Sequence, residues 1–230
     1  MARILFAWEM GEGMGHLVPL RRVLAALVAE GHELIVAAVD LRSARAALGH
    51  IASSLVQAPK VVDASFPLGR SAEGVADLLA MNGLADEPSL AGRLHAWKQL
   101  IRLFDPHLLM AEHSPGALIM AQALGIPAVH AGTGFTLPPE DEPMLFPGFD
   151  GADNREREAR LRERFNRFID EEGGTPLNRL SDLYNRVSRR FLLTFAELDH
   201  LGPREGGPYL GAEHRVYGGP PGWSRAACRP

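Results

Sequence analysis

Ile4-Leu-Phe-Ala-Trp8-Glu-Met-Gly-Glu-Gly-Met-Gly-His16 joins a fully apolar run to a glycine-rich segment near the start of the chain. Five consecutive apolar residues are typical of a strand that is covered on both faces of a parallel sheet. Beyond His16, apolar residues recur at the spacing of one helical face, and a left-handed cap at Gly31 is predicted to end that helix. Residues 34–39 form a second apolar run. The stretch therefore predicts a strand–helix–strand unit with a right-handed connection.

The same alternation continues along the chain. Further strands are predicted at residues 54–58, 108–110, 128–131 and 191–195, and further helices at 40–48, 72–81, 90–104, 115–124 and 154–172. This pattern predicts an α/β fold with a doubly wound, mainly parallel Rossmann-like sheet and helices on both faces. Residues 132–151 interrupt it with a long loop, a length that is usually functional or mobile. Residues 1–215 are predicted to form one domain, and the Gly- and Pro-rich residues 216–230 the start of a linker.

Composition excludes several classes of function. With 230 residues and a formal net charge of -4, the chain can bury a core but offers no basic surplus for a nucleic-acid partner. Its single cysteine, Cys228, excludes an intrachain disulfide and fits a reducing compartment. No apolar stretch approaches the ~20 residues of a membrane span. The sequence predicts a cytoplasmic domain without membrane insertion.

The glycine segment follows the first strand, at the sheet edge where open α/β folds bind ligands. A dinucleotide-binding fingerprint is one alternative, because Gly11 and Gly13 match its first two glycines and Asp40 stands at the end of the second strand. Its third glycine would fall on His16, which weakens that interpretation since this glycine permits close helix–strand packing. The chain contains no Gly-Lys-Ser/Thr of a phosphate loop.

His16 is chemically suited to act as a general base. An imidazole with an ordinary pKa of ~6.5 accepts a proton near neutral pH. The alternative is a histidine that only hydrogen-bonds the loop from the start of the helix, and position alone does not separate the two.

Three segments in order resemble the acceptor-binding, N-terminal domain of bacterial UDP-glycosyltransferases of the macrolide and plant-type superfamily. They are Trp8-Glu-Met-Gly-Glu-Gly-Met-Gly-His-Leu-Val-Pro19, Asp105-Pro-His-Leu-Leu-Met-Ala-Glu112 with Leu124-Gly-Ile-Pro127, and Gly132-Thr-Gly-Phe-Thr-Leu-Pro-Pro139. The resemblance covers the whole chain. It implies one half of the GT-B architecture, in which two Rossmann-like domains face each other.

The resemblance also implies a mechanism. His16 would deprotonate an acceptor hydroxyl that attacks a nucleotide sugar with inversion, and Glu112 would orient the imidazole. The family commonly has aspartate at this position, so a solvated strand-end carboxylate is the alternative for Glu112. The backbone of Gly11, Gly13, Met14 and Gly15 is predicted to approach the donor phosphates. No metal or cofactor is expected, and a UDP- or TDP-sugar would be the co-substrate.

Acceptor-binding residues are less well defined. Phe66, Met81, His113 and Phe135 are candidates to line a pocket for a small, apolar acceptor. Met81 lies on a predicted helix, as does Trp97, and core packing is the favoured role for both. His130 is at a predicted strand end and is a further candidate to face the cleft.

In the family that the chain resembles, a His- and Gly-rich motif in the C-terminal domain holds the nucleotide sugar. No such motif occurs in these 230 residues. We therefore expect the isolated chain to be inactive, with the nucleotide sugar bound through a C-terminal domain that is absent here. Two alternatives remain open. One is a stand-alone small-molecule-binding module or subunit of a split glycosyltransferase, and the other is a nucleotide-binding domain.

Overall fold

The computed structural model describes residues 1–61, 66–151, 153–205 and 208–212. Its centre is a six-stranded sheet in which every neighbouring pair is parallel. The strands are β1 Arg3–Trp8, β2 Glu33–Ala38, β3 Ser54–Gln57, β4 Leu108–Ala111, β5 Ala128–Gly132 and β6 Arg189–Leu192. Their order, β3-β2-β1-β4-β5-β6, reverses between β1 and β4. In open α/β sheets, ligands bind in the crevice at such a reversal.

Helices cover both faces of the sheet. They are α1 Arg21–Ala29, α2 Leu41–Leu48, α3 Val75–Met81, α4 Glu87–Phe104, α5 Pro115–Leu124, α6 Asn154–Glu171 and α7 Asp182–Asn185. Strand β1 alternates between two cores: Ile4, Phe6 and Trp8 pack with α1 and α2, whereas Leu5 and Ala7 face the core formed with α3 to α7. Burial on both faces explains why β1 is apolar at every position. The predicted fold class is confirmed.

The predicted start of the first helix is wrong. Instead of one helix from His16, two 3₁₀ turns occur at Met14–His16 and Val18–Leu20, and α1 begins only at Arg21. Pro19 lies inside the second turn. Its missing N–H and the glycines before it favour short i→i+3 turns over an early α-helix.

Four other elements differ from the sequence prediction. Helix α3 begins three residues later than predicted, and α4 begins three residues earlier. Strand β6 ends at Leu192, three residues before the predicted end, and the side chain of Phe195 is 44% exposed. The short helix α7 was not predicted. The predicted linker at 216–230 and the predicted domain end at 215 lie outside the described residues.

Candidate active site

The reversal of strand order brings two predicted site residues together. Glu112 directly follows β4, and its backbone N–H donates to the carbonyl of Ala7 on β1 at 2.9 Å. His16 lies in the turn after β1. Because parallel neighbouring strands end at the same edge, residues 96 positions apart in sequence meet above the sheet.

His16 and Glu112 form a hydrogen-bonded pair. The Nδ1 atom of His16 lies 2.8 Å from Oε2 of Glu112, and their side chains are 19% and 4% exposed. Burial raises the pKa of Glu112, while the hydrogen bond from His16 and a second one from Thr136 act in the opposite direction. With Nδ1–H donated to the carboxylate, a neutral His16 carries its free lone pair on Nε2.

The imidazole of His16 is held on three further sides. Trp8 stacks on the ring at a centroid distance of 5.4 Å, and His113 stacks on it at 5.6 Å. Gly11 has a left-handed φ of 89°, and a Cβ atom there would lie 2.2 Å from Nε2 of His16. The glycine is therefore required both by the backbone conformation and by the close approach of the ring.

A cavity of about 390 Å³ is lined by Gly11 and His113, two residues that contact the His16 ring, but not by His16 itself. It contains three of the four predicted acceptor-binding residues, Phe66, Met81 and His113, together with Gly11. Its apolar wall is completed by Met10, Val39 and Val61, and its polar wall by Glu9, Glu12, Lys60, Asn82 and Arg93. The structure thus brings sequence-distant candidates together around one space of the size that small ligands occupy.

The remaining aromatic candidates lie in three different places. Phe135 contacts His113 edge to face at 5.9 Å and stacks on Phe146, so it stands behind His113 and is not among the cavity-lining residues. Trp97 is fully buried in the core. His130 is also fully buried and stacks on Tyr184. The expectation that His130 faces the cleft is wrong, because its side chain points into the core from within β5, where burial lowers its pKa to about 3.

The predicted phosphate loop is open to solvent. Gly11, Gly13, Met14 and Gly15 are all exposed at the edge of the sheet, and Gly13 has a left-handed φ of 78°. The loop leads into 3₁₀ turns, so the dipole of α1, which begins at Arg21, does not end at these residues. Any phosphate contact would therefore depend on the loop's own N–H groups.

Glu9 is a site residue that the sequence analysis missed. It lines the cavity from the end of β1, and its side chain is completely buried. Its carboxylate accepts hydrogen bonds from Gly116 N–H at 2.7 Å and from the indole N–H of Trp97, with a guanidinium nitrogen of Arg93 3.6 Å away. Burial raises the pKa of Glu9, and Arg93 opposes that rise. These partners are 84 to 107 residues distant, so no local pattern signals them.

Loss of the buried cation should destabilise the fold. We expect Arg93→Met to lower the free energy of unfolding by about 3 kcal/mol, because it leaves the buried carboxylate of Glu9 without its counter-charge. Arg102→Met is the matched control: Arg102 lies on the same helix at the same 3.6 Å from a carboxylate, but its side chain is 57% exposed. Its loss should be below about 1 kcal/mol. Equal losses in urea unfolding would contradict the assigned role of Arg93.

Within the described residues, no group of three or more His, Cys, Asp or Glu side chains could hold a metal ion. None of the helices in the described residues is both long enough and apolar enough to cross a membrane.

Three solved structures with a similar fold are glycosyltransferases. The glycosyltransferase of kitacinnamycin is 20% identical with a TM-score of 0.63, covering 98% of this chain and 55% of its own. The calicheamicin glycosyltransferase CalG4 is 14% identical with a TM-score of 0.56, covering 86% and 49%. The Streptomyces sp. SF2575 glycosyltransferase SsfS6, in complex with thymidine diphosphate, is 18% identical with a TM-score of 0.51, covering 86% and 51%.

These likenesses establish the fold. The chain has the Rossmann-like α/β architecture found in one half of GT-B glycosyltransferases, and it spans about half the length of the solved structures it matches. Neither protein-family models nor curated proteins gave a match.

Proposed function

We propose that this chain forms the acceptor-binding, N-terminal half of an inverting, nucleotide-sugar-dependent glycosyltransferase. The observation that carries the proposal is the His16–Glu112 pair, bonded at 2.8 Å through Nδ1, with Nε2 close to Gly11, a residue that lines the small-molecule cavity. A general base needs a free lone pair near the substrate proton, and the proposal assigns that role to Nε2.

The proton and electron pairs move as follows. Nε2 of His16 takes the proton from the acceptor hydroxyl while the hydroxyl oxygen forms a bond to the anomeric carbon of the sugar. The bond between that carbon and the nucleoside diphosphate breaks, and its electron pair leaves with the diphosphate. Glu112 stabilises the resulting imidazolium through Nδ1–H. Its carboxylate is buried, and its side chain is only 4% exposed.

The acceptor is proposed to be a small molecule with an apolar body and polar substituents. Phe66, Met81 and Val39 offer the cavity apolar contacts, whereas Lys60, Asn82 and Arg93 offer polar ones. Because the lining is both apolar and polar, the proposed acceptor carries polar substituents in addition to the apolar body that the sequence predicts.

The donor is proposed to be a TDP- or UDP-sugar, held mainly by a second domain. One structural neighbour was solved with thymidine diphosphate. The exposed loop of Gly11, Gly13, Met14 and Gly15 would contribute a few N–H groups to the diphosphate from this side.

Calorimetry tests whether the nucleotide sugar is bound mainly by the second domain. Titrating the 230-residue chain with TDP-glucose or UDP-glucose should give weak or undetectable binding, because the loop alone provides few donors. A dissociation constant near ~1 μM, about -8 kcal/mol, would overturn the acceptor-domain proposal and favour a nucleotide-binding domain. Transfer itself is tested by mass spectrometry of glycosylated product when the donor-binding domain is supplied on the same or a second chain.

Small-molecule binding without transfer is the second candidate. The residues that line the cavity combine apolar and polar side chains, so ligand contacts are proposed to form without a donor domain. If His16→Ala leaves ligand affinity unchanged and no combination with a donor domain yields product, this candidate replaces the first.

A further inference from the structure

His113 adopts a backbone conformation that is uncommon for non-glycine residues. Its φ is 45°, in the left-handed region, and among described non-glycine residues only Asp105 shares this property. Histidine enters this region more often than most residues do, but less readily than glycine. Its carbonyl accepts a hydrogen bond from Met10 N–H at 3.1 Å, which ties it to the end of β1.

The left-handed turn brings two consecutive side chains onto one ring. In a continuing strand, successive side chains point to opposite faces of the sheet. Here Glu112 bonds Nδ1 of His16, while the next residue, His113, stacks on a face of the same imidazole. The left-handed φ of His113 thus allows the side chains of Glu112 and His113 to contact the same imidazole.

The His113 ring is itself fixed in place. It stacks on His16 with an interplanar angle of 20°, and Phe135 contacts it edge to face from another side. Phe135 is in turn stacked on Phe146 at 5.8 Å. Trp8, which is fully buried, also stacks on His16, so two aromatic rings contact the imidazole.

Electrostatics favour an uncharged ring at this place. Burial, with a smaller contribution from the charge of His16, lowers the pKa of His113 to about 4. Its Nδ1 is buried without a hydrogen-bond partner among the described residues. A neutral ring adds no repulsion when His16 takes up a proton. The left-handed backbone of His113 and its unsatisfied Nδ1 are both destabilising, and His113 is the residue that stacks on His16.

We propose that His113 is a positioning residue that, together with Trp8, clamps the His16 imidazole by stacking, so that Nε2 stays beside Gly11 at the lining of the cavity. This inference rests on the proposed role of His16 as the base. It assigns His113 an action through His16 in addition to its place in the cavity lining.

Two substitutions separate the ring from the backbone conformation. His113→Asn removes the ring but tolerates the left-handed region, whereas His113→Phe keeps a neutral ring. In ¹⁵N-resolved NMR of the chain, wild type and His113→Phe should show His16 as one neutral tautomer with the proton on Nδ1. His113→Asn should show shifts averaged between both tautomers. In the complete enzyme, His113→Asn should lower kcat by up to ~10²-fold, the effect of a small misplacement, with little change in acceptor KM.

Several outcomes would overturn the clamp. They are an unchanged His16 tautomer in His113→Asn, a rise in acceptor KM with normal kcat, or a kcat loss that persists undiminished on a His16→Ala background. Thermal unfolding of each variant excludes a folding defect, and His113→Gly, which relieves the strain, replaces His113→Asn if the latter does not fold. The NMR result does not depend on transfer. A normal kcat in His16→Ala would therefore reject the proposed function without deciding the clamp.

Discussion

His16→Ala is expected to lower kcat for glycosyl transfer by at least ~10²-fold in the enzyme that carries both domains. A neutral hydroxyl is a poor nucleophile, and a positioned base contributes ~10²–10⁴-fold. The variant should fold almost normally, because the His16 side chain is partly exposed at the sheet edge and is not part of either core. Steady-state kinetics and thermal unfolding measure the two effects separately.

His107→Ala is the control for His16→Ala. His107 precedes β4 at the opposite edge of the sheet, where its Nδ1 accepts from Arg3 N–H at 3.0 Å. Substitution there removes an imidazole without touching the candidate site, so kcat should stay near the wild-type value. A near-normal kcat in His16→Ala would refute the base assignment. Global unfolding of that variant would instead assign His16 a structural role.

Glu112→Gln refines the same experiment. Glutamine preserves the size of the side chain but removes the charge that stabilises the imidazolium, so kcat should fall less than in His16→Ala. Since Glu112 is proposed to act through Nδ1 of His16, its effect should largely disappear in the double variant. Independent, additive losses would mean that the carboxylate has another function.

The sequence was sufficient to predict the centre of the sheet because β1, β2 and β4 are almost entirely apolar, which is typical of strands covered on both faces. Strands β1, β4 and β5 occur within one residue of their predicted bounds, and α5 occurs at its predicted residues. The position of His16 and Glu112 at one sheet edge also follows from sequence, since consecutive strand–helix units place every strand end on the same side. Their bond length and burial depend on the three-dimensional packing.

Long-range and conformational features were not predictable from local patterns. The ion pair of Glu9 with Arg93 joins β1 to α4 across 84 residues, and nothing near either residue signals the other. The left-handed φ of His113 occurs at a residue type that does not require it. The late start of α1 was missed because the apolar spacing after His16 satisfies a helical face, while the 3₁₀ turns around Pro19 depend on local hydrogen bonding.

Gly11→Ala should disable the site through sterics alone. An added Cβ would lie 2.2 Å from Nε2 and 2.7 Å from Cε1 of His16. The imidazole cannot easily move away, because Trp8 and His113 stack on it and Glu112 holds Nδ1. We therefore expect kcat to fall toward the value of His16→Ala, together with a change in the His16 NMR signals.

Gly31→Ala separates this steric effect from backbone strain. Gly31 has a φ of 85°, close to the 89° of Gly11, but nothing lies within 4 Å of a Cβ placed there. Both substitutions should therefore lose a similar ~1–2 kcal/mol of stability from left-handed alanine. Only Gly11→Ala should alter His16 and kcat, because Gly31 follows α1 at the other edge of the sheet. If Gly11→Ala keeps wild-type kcat and His16 signals, the imidazole is free to move, and neither the clamp nor the close approach to Gly11 governs its position.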